Sequence, residues 1–301
     1  MYQALRNFRS EYIPVRQHSY HVYVWGEPRP GVAPLVMVHG WMDVGASYQF
    51  VVDALQDDRH VIAPDWRGFG LTTGPAVDNY WFPDYLADLD ILLDHYAGDT
   101  PVDLIGHSMG GNVVMQYAGI RPERIRRLVN LEGFGGPQTR AAQAPSRYAR
   151  WMDELKAFHR GDKALSSYPD ADSVARRLMK TNPRLAPGQA AWLARHWARP
   201  DAEGRWHILG DPAHKIVFAQ LTRLDEVLAL YQRITVPTLA VDAADDTFVR
   251  YWPGQYTLAE FHERLKQVPN VRTTTLAEAG HMLHHDQPAA LARLIEDFLR
   301  M

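Results

Sequence analysis

Residues 102–118 read VDLIGHSMGGNVVMQYA, and this one stretch decides the fold. Residues 102–105 form a short, mostly apolar run suited to a buried strand, whereas Val113, Val114, Tyr117 and Ala118 recur at helical spacing. The strand therefore passes into a helix across Gly106-His107-Ser108-Met109-Gly110, a G-x-S-x-G turn. A bend this sharp strains its apex and brings the flanking backbone too close for side chains, so glycine stands on both sides of Ser108. A second glycine, Gly111, lets the helix pack closely on the sheet. The serine is left pointing outward beside a helix N-terminus. Its hydroxyl is a poor nucleophile alone, so the rest of the chain must supply a histidine and a carboxylate.

Working outward, residues 12–15 and 20–25 alternate as two antiparallel strands. Residues 34–38 are continuously apolar, as in a strand covered on both faces, and run into His39-Gly40-Trp41-Met42-Asp43. Residues 47–55 read as a helix, 60–63 as a strand, and 79–96 as an amphipathic helix through Tyr85, Leu86, Leu89, Leu92 and Leu93. After the elbow, residues 125–131 form a further strand. Alternation of this kind implies an α/β class with a mostly parallel, doubly wound sheet.

The alternation stops from about residue 133 to 233, where helical patterns at 148–159, 173–179, 189–197 and 216–231 appear without a strand signal. We read 133–233 as a helical cap inserted into a core made of 1–132 and 234–301. Four tryptophans fall in the insert, Trp151, Trp192, Trp197 and Trp206; at least two belong to its core, and one or two are expected to line an apolar substrate pocket. The alternation resumes with a strand at 237–241, a helix at 258–266, a strand at 271–276 and a helix at 288–299.

Composition excludes several function classes. A net charge of −3 with scattered basic residues argues against a nucleic-acid surface. The absence of cysteine rules out disulfides, thiolate metal sites and a thiol nucleophile together. No stretch has the length and apolarity of a membrane span or a signal-peptide core, so a cytoplasmic protein with no membrane partner is expected, as a monomer or homodimer.

Functional residues in such a sheet lie at the carboxyl ends of the strands. The last strand leads into Gly280-His281-Met282-Leu283-His284-His285-Asp286, where His281 is the expected base and His284 and His285 are weaker candidates. That cluster lacks i, i+4 histidines with a glutamate base, so no metal and no cofactor are expected. The strand at 237–241 leads into Asp242-Ala243-Ala244-Asp245-Asp246, where Asp245 and Asp246 both qualify as the acid that orients the histidine. Glu132, at the end of the strand after the elbow, is a third candidate. Backbone N–H groups of Met109 and Trp41 are the expected oxyanion donors.

These residues together resemble the α/β-hydrolase family over nearly the whole chain. His39-Gly40-Trp41 resembles its oxyanion loop, Asp65-Trp66-Arg67-Gly68-Phe69-Gly70 its D-x-R-G-x-G loop, and Gly106 to Gly111 the nucleophile elbow of its serine esterases. Leu71-Thr72 replaces the serine that often follows the second of these. The resemblance implies Asp246, nine residues past Pro237, as the catalytic acid in preference to Asp245. Haloalkane dehalogenases and epoxide hydrolases share the capped architecture but imply an aspartate nucleophile, against which Ser108 argues. Glu132 stands where some dehalogenases carry their acid, so an alternative or double acid stays open. The resemblance implies hydrolysis of a small, fairly apolar ester through an acyl-enzyme on Ser108; a carbon–carbon bond hydrolase, lactonase or thioesterase would use the same constellation, and a non-catalytic ligand binder would usually lack part of it.

Overall fold

The computed structural model describes residues 2–301, and in it the chain opens with the antiparallel strands β1 (Phe8–Val15) and β2 (His18–Trp25). There follow β3 (Leu35–Val38), α1 (Gln49–Ala54), β4 (Val61–Pro64), α2 (Phe82–Ala97), β5 (Val102–His107), α3 (Met109–Ile120) and β6 (Ile125–Leu131). The next segment carries α4 (Ala144–His159), β7 (Ser167–Tyr168), α5 (Ala171–Thr181), α6 (Pro187–Trp197), β8 (Ala198–Pro200), β9 (Trp206–Ile208) and α7 (Leu224–Tyr231). The chain ends with β10 (Thr238–Ala243), α8 (Thr247–Tyr251), α9 (Leu258–Leu265), β11 (Val271–Leu276), α10 (Leu283–Asp286) and α11 (Pro288–Arg300).

Eight of these strands form one sheet in the order β1-β2-β4-β3-β5-β6-β10-β11. The β1–β2 and β2–β4 pairs are antiparallel and the remaining pairs parallel. The chain leaves β3 toward β4 on one side and returns to β5 on the other. This reversal opens a crevice at the carboxyl ends of β3 and β5, the place where such sheets bind ligands.

Strand β3 shows why the sheet is buried on both faces. All four residues are buried, with Leu35 and Met37 in one core and Val36 and Val38 in the other, as a period of two requires. Leu291, Ile295 and Leu299 of α11 close the first core; Leu89 and Leu92 of α2, Val113 and Val114 of α3, and Phe261 of α9 close the second. Each such side chain contributes about 1.5–3 kcal/mol on leaving water. Among the described residues no helix is long and apolar enough to cross a membrane.

Two expectations need correction between β6 and β10. The segment is not wholly helical, since β7, β9 and β8 form a small antiparallel sheet of their own. These strands have only two or three residues each, too few for a period to show. The helix expected over 216–231 is confined to α7, beginning at Leu224. Of the four tryptophans, Trp192, Trp197 and Trp206 pack against the first core and Trp151 joins a small cluster with Tyr80, Ala213 and Ile216.

Candidate active site

Strand β5 ends at His107, and Ser108 turns the chain with φ 52° and ψ −114°, a backbone conformation side chains rarely adopt. The turn closes because Gly106 and Gly110 lack side chains. A Cβ on Gly106 would lie 2.3 Å from the carbonyl oxygen of Gly110, and one on Gly110 would lie 2.3 Å from that of Val38. Strain of this kind, of order 1–3 kcal/mol per residue, persists only where surrounding structure enforces it. Here it holds the Ser108 hydroxyl above the sheet.

His281 lies in the loop between β11 and α10, and its Nε2 is 3.0 Å from Ser108 Oγ. Its Nδ1 is 3.1 Å from Oε2 of Glu132, so Nδ1–H donates to the carboxylate and Nε2 is left to accept the serine proton. The carboxylate against His281 is therefore that of Glu132 and not that of Asp246. Asp246 instead caps α8, its Oδ1 accepting from the N–H groups of Phe248 and Val249. Asp245 pairs with Arg184, and Asp242 with His262. Asp242, Asp245 and Asp246 are thus all occupied elsewhere, which the sequence does not reveal because several carboxylates stand at adjacent positions there.

Glu132 is held by its neighbours. The N–H of Ala243 donates to Oε1 at 2.6 Å and the hydroxyl of Thr247 to Oε2 at 2.7 Å, so with His281 three donors meet one carboxylate. Its side chain is 1% exposed. Burial pushes its pKa up to about 7, helped by the nearby charges of Asp245 and Asp246, while the Ala243 and Thr247 donors oppose the rise. Burial likewise pulls His281 down to about 4, with the cation of Arg250 acting in the same direction. The imidazole is consequently neutral at neutral pH, the form that accepts a proton. Thr247 and Arg250 are contributors that sequence reading missed, since neither belongs to a motif.

The loop after β3 abuts the elbow. A Cβ on Gly40 would meet Ser108 Cβ at 3.0 Å, so Trp41 follows directly beside the elbow serine. His39 secures this loop: its Nε2 accepts from the N–H of Trp66, its Nδ1–H donates to the carbonyl of Gly40, and its own carbonyl accepts from Trp66 Nε1. Asp65 braces the same region by accepting from the N–H groups of Gly45 and Leu71 and facing His21. Arg67 makes a bidentate pair with buried Asp88, both contacts at 2.6 Å. The Asp65–Gly70 motif is thus a brace for the loop after β3.

His284 and His285, the weaker base candidates, are buried and it is His281 that meets Ser108 Oγ; His284 faces Asp43 and His285 packs on Phe50. A cavity of about 840 Å³ opens over the serine, lined by Ser108, His281 and Glu132 together with apolar residues that include Met42, Phe134, Leu178, Trp197 and Trp252. Trp197 is the one insert tryptophan on its wall. Leu165, Tyr168, Leu178 and Leu185 also come from the segment between β6 and β10, so that segment shapes the space above Ser108.

A family model described as "alpha/beta hydrolase fold" matches residues 33–288. The chain is 25% identical to a serine hydrolase-like protein of Danio rerio, over 99% of this chain and 90% of that protein. It is 26% identical to the esterase YbfF of Escherichia coli strain K12, over 89% and 93% of the two chains. Among solved structures, a thioesterase domain from the curacin biosynthetic pathway superposes with a TM-score of 0.81 at 22% identity, covering 96% of this chain and 99% of its own.

Proposed function

The chain belongs to the α/β-hydrolase family and is a hydrolase, and from that premise we propose that it cleaves carboxylic esters of small, fairly apolar substrates through an acyl-enzyme on Ser108. The observation that carries this reading is the hydrogen-bonded line from Ser108 Oγ through His281 to Glu132 at the floor of a largely apolar cavity. As Ser108 Oγ attacks the acyl carbon, His281 Nε2 takes its proton, and Glu132 stabilises the imidazolium that forms. Negative charge develops on the former carbonyl oxygen. In this reading the N–H of Met109, first residue of α3, and the N–H of Trp41 receive it, each worth roughly 10²–10³ in rate. The alcohol leaves with the proton from His281, and water repeats the sequence in reverse to release the acid.

The segment between β6 and β10 serves in this reading as the cap that selects the acyl group. Labelling with a fluorophosphonate and a panel of p-nitrophenyl esters of increasing acyl length test the proposal. Labelling confined to Ser108 with turnover of short and medium esters supports it; a folded protein that neither labels nor turns over any ester would sink it and favour a ligand binder.

A second reading rests on two cations. Arg177 and Arg250 line the cavity and have no carboxylate partner among the described residues, and Arg250 acts on the charge state of His281. They suit a substrate that carries a carboxylate, as a carbon–carbon bond hydrolase would require. Poor turnover of p-nitrophenyl acetate and butyrate alongside activity on vinylogous diketones would select this alternative.

A further inference from the structure

Three side chains that the ester chemistry leaves unused meet beneath Ser108. Asp43 follows the oxyanion loop, His107 immediately precedes the nucleophile, and His284 lies in α10 behind His281. All three are buried, and one donor atom from each lies within 4.8 Å of the other two.

Their hydrogen bonding leaves lone pairs that converge without partners. Oδ1 of Asp43 accepts from the hydroxyl of Ser47, the N–H of Val44 and Nε1–H of Trp197. Oδ2 has no hydrogen bond, and Nε2 of His284 stands off from it at 3.5 Å. His107 Nε2–H donates to the carbonyl of His281 at 2.7 Å, which fixes the free lone pair on Nδ1, and that atom also has no partner. Buried polar atoms in folded proteins are nearly always paired, so such a cluster calls for a ligand that accepts several lone pairs at once.

We propose that Asp43, His107 and His284 form an inhibitory site for a divalent transition-metal ion of the zinc type, loaded from the active-site cavity. One carboxylate with two imidazoles is a donor set that suits zinc and its neighbours, whereas calcium and magnesium need a shell of oxygens that is not present here. The bond from His107 Nε2–H to a backbone carbonyl is the support that metal-bound histidines ordinarily have. Entry is open, because Asp43 and His107 both line the cavity. Donors around zinc stand about 3.3 Å apart, so the three side chains draw together when the ion binds. Asp43 is continuous with the Trp41 loop, and His107 with Ser108, so that contraction displaces the oxyanion donors and the nucleophile. The set shares only His284 with the histidine cluster in which spacing alone points to no metal.

The inhibitory role rests on the ester-hydrolase reading, while binding does not. The experiment titrates the chelator-stripped full chain with cobalt, read by visible ligand-field absorption, and with zinc by calorimetry. One ion per chain is expected, with zinc displacing cobalt, and His284→Gln and His107→Gln each weaken binding at least about tenfold. Ser108→Ala and His281→Ala bind as the parent does. No uptake, uptake that survives both substitutions, or uptake lost in His281→Ala, which would put the ion on the triad, overturns the site. Ester turnover measured in parallel falls on zinc addition in the parent and is spared in His284→Gln; binding without loss of turnover overturns the inhibitory role. Metal uptake in a protein with no esterase activity would sink the functional reading and leave the site standing.

Discussion

Ser108 and Glu132 leave neighbouring strands at the same level. His107 pairs with Leu131 in the β5–β6 ladder, and the next residue of each strand turns with a positive φ, 52° at Ser108 and 56° at Glu132. The two backbones are locked together by the N–H of Ser108, which donates to the carbonyl of Leu131 at 2.8 Å. Hydroxyl and carboxylate are thus presented side by side, with His281 spanning them from the loop after β11. Two strained residues at adjacent strand ends are hard to explain by packing alone, and the first expectations concern them.

Ser108→Ala should lower kcat/KM for p-nitrophenyl esters by roughly 10⁴-fold or more while the thermal midpoint stays near that of the parent. A steady-state assay with a melting curve on the same preparation checks this. Retained turnover would remove Ser108 from the chemistry.

Glu132→Gln keeps the shape of the side chain but removes the charge facing His281, so kcat should fall about 10³–10⁴-fold. Asp246→Asn should stay within about fivefold of the parent, because its carboxylate only caps α8. The opposite ranking of the two variants would return the acid role to Asp246.

The rate should rise with pH. Protonation of His281 removes the base, and protonation of Glu132 removes the group that stabilises its imidazolium, so both changes act in the same direction as pH falls. Burial places His281 at about 4 and Glu132 at about 7, and the pair titrates jointly between those values. The acid limb of the kcat/KM profile is expected in that window; an acid limb well above pH 7 would contradict it.

Stability should decline on mild acidification. Burial pulls His107 and His285 down to about 3 and His284 down to about 4. Between those values and the ordinary histidine pKa of about 6.5, the unfolded chain binds protons that the folded chain refuses, so unfolding is favoured as pH drops through that interval. Thermal midpoints measured from pH 7.5 to 5 should fall, and His285→Phe should flatten the dependence. A midpoint independent of pH would show that these imidazoles titrate normally in the fold.

The elbow should tolerate no side chain at its tightest point. Gly110→Ala places a Cβ 2.3 Å from the Val38 carbonyl oxygen and should cost about 1–3 kcal/mol or prevent folding, whereas Gly136, with nothing within 4 Å, should accept alanine at little cost. Denaturant unfolding of the two variants separates them.

The sequence by itself determined the sheet and the elbow that carries Ser108, because each depends on local constraints. A period of two or 3.6 fixes an element, and a turn through Ser108 demands glycine at 106 and 110. It also located His281, since one histidine follows a glycine directly after the last strand. Which carboxylate faces that histidine was decided only in three dimensions. Asp242, Asp245, Asp246 and Glu132 all lie at or just past strand ends, and what separates them is the partner each one finds: His262 for the first, Arg184 for the second, the N-terminus of the helix that follows it for the third, and Ala243, Thr247 and His281 for Glu132. The meeting of Asp43, His107 and His284 was hidden for the same reason, and the short strands between β6 and β10 because two or three residues show no period. Periodicity and spacing encode what a residue does to its own chain segment, whereas a partner brought by folding from more than a hundred residues away leaves no mark in either.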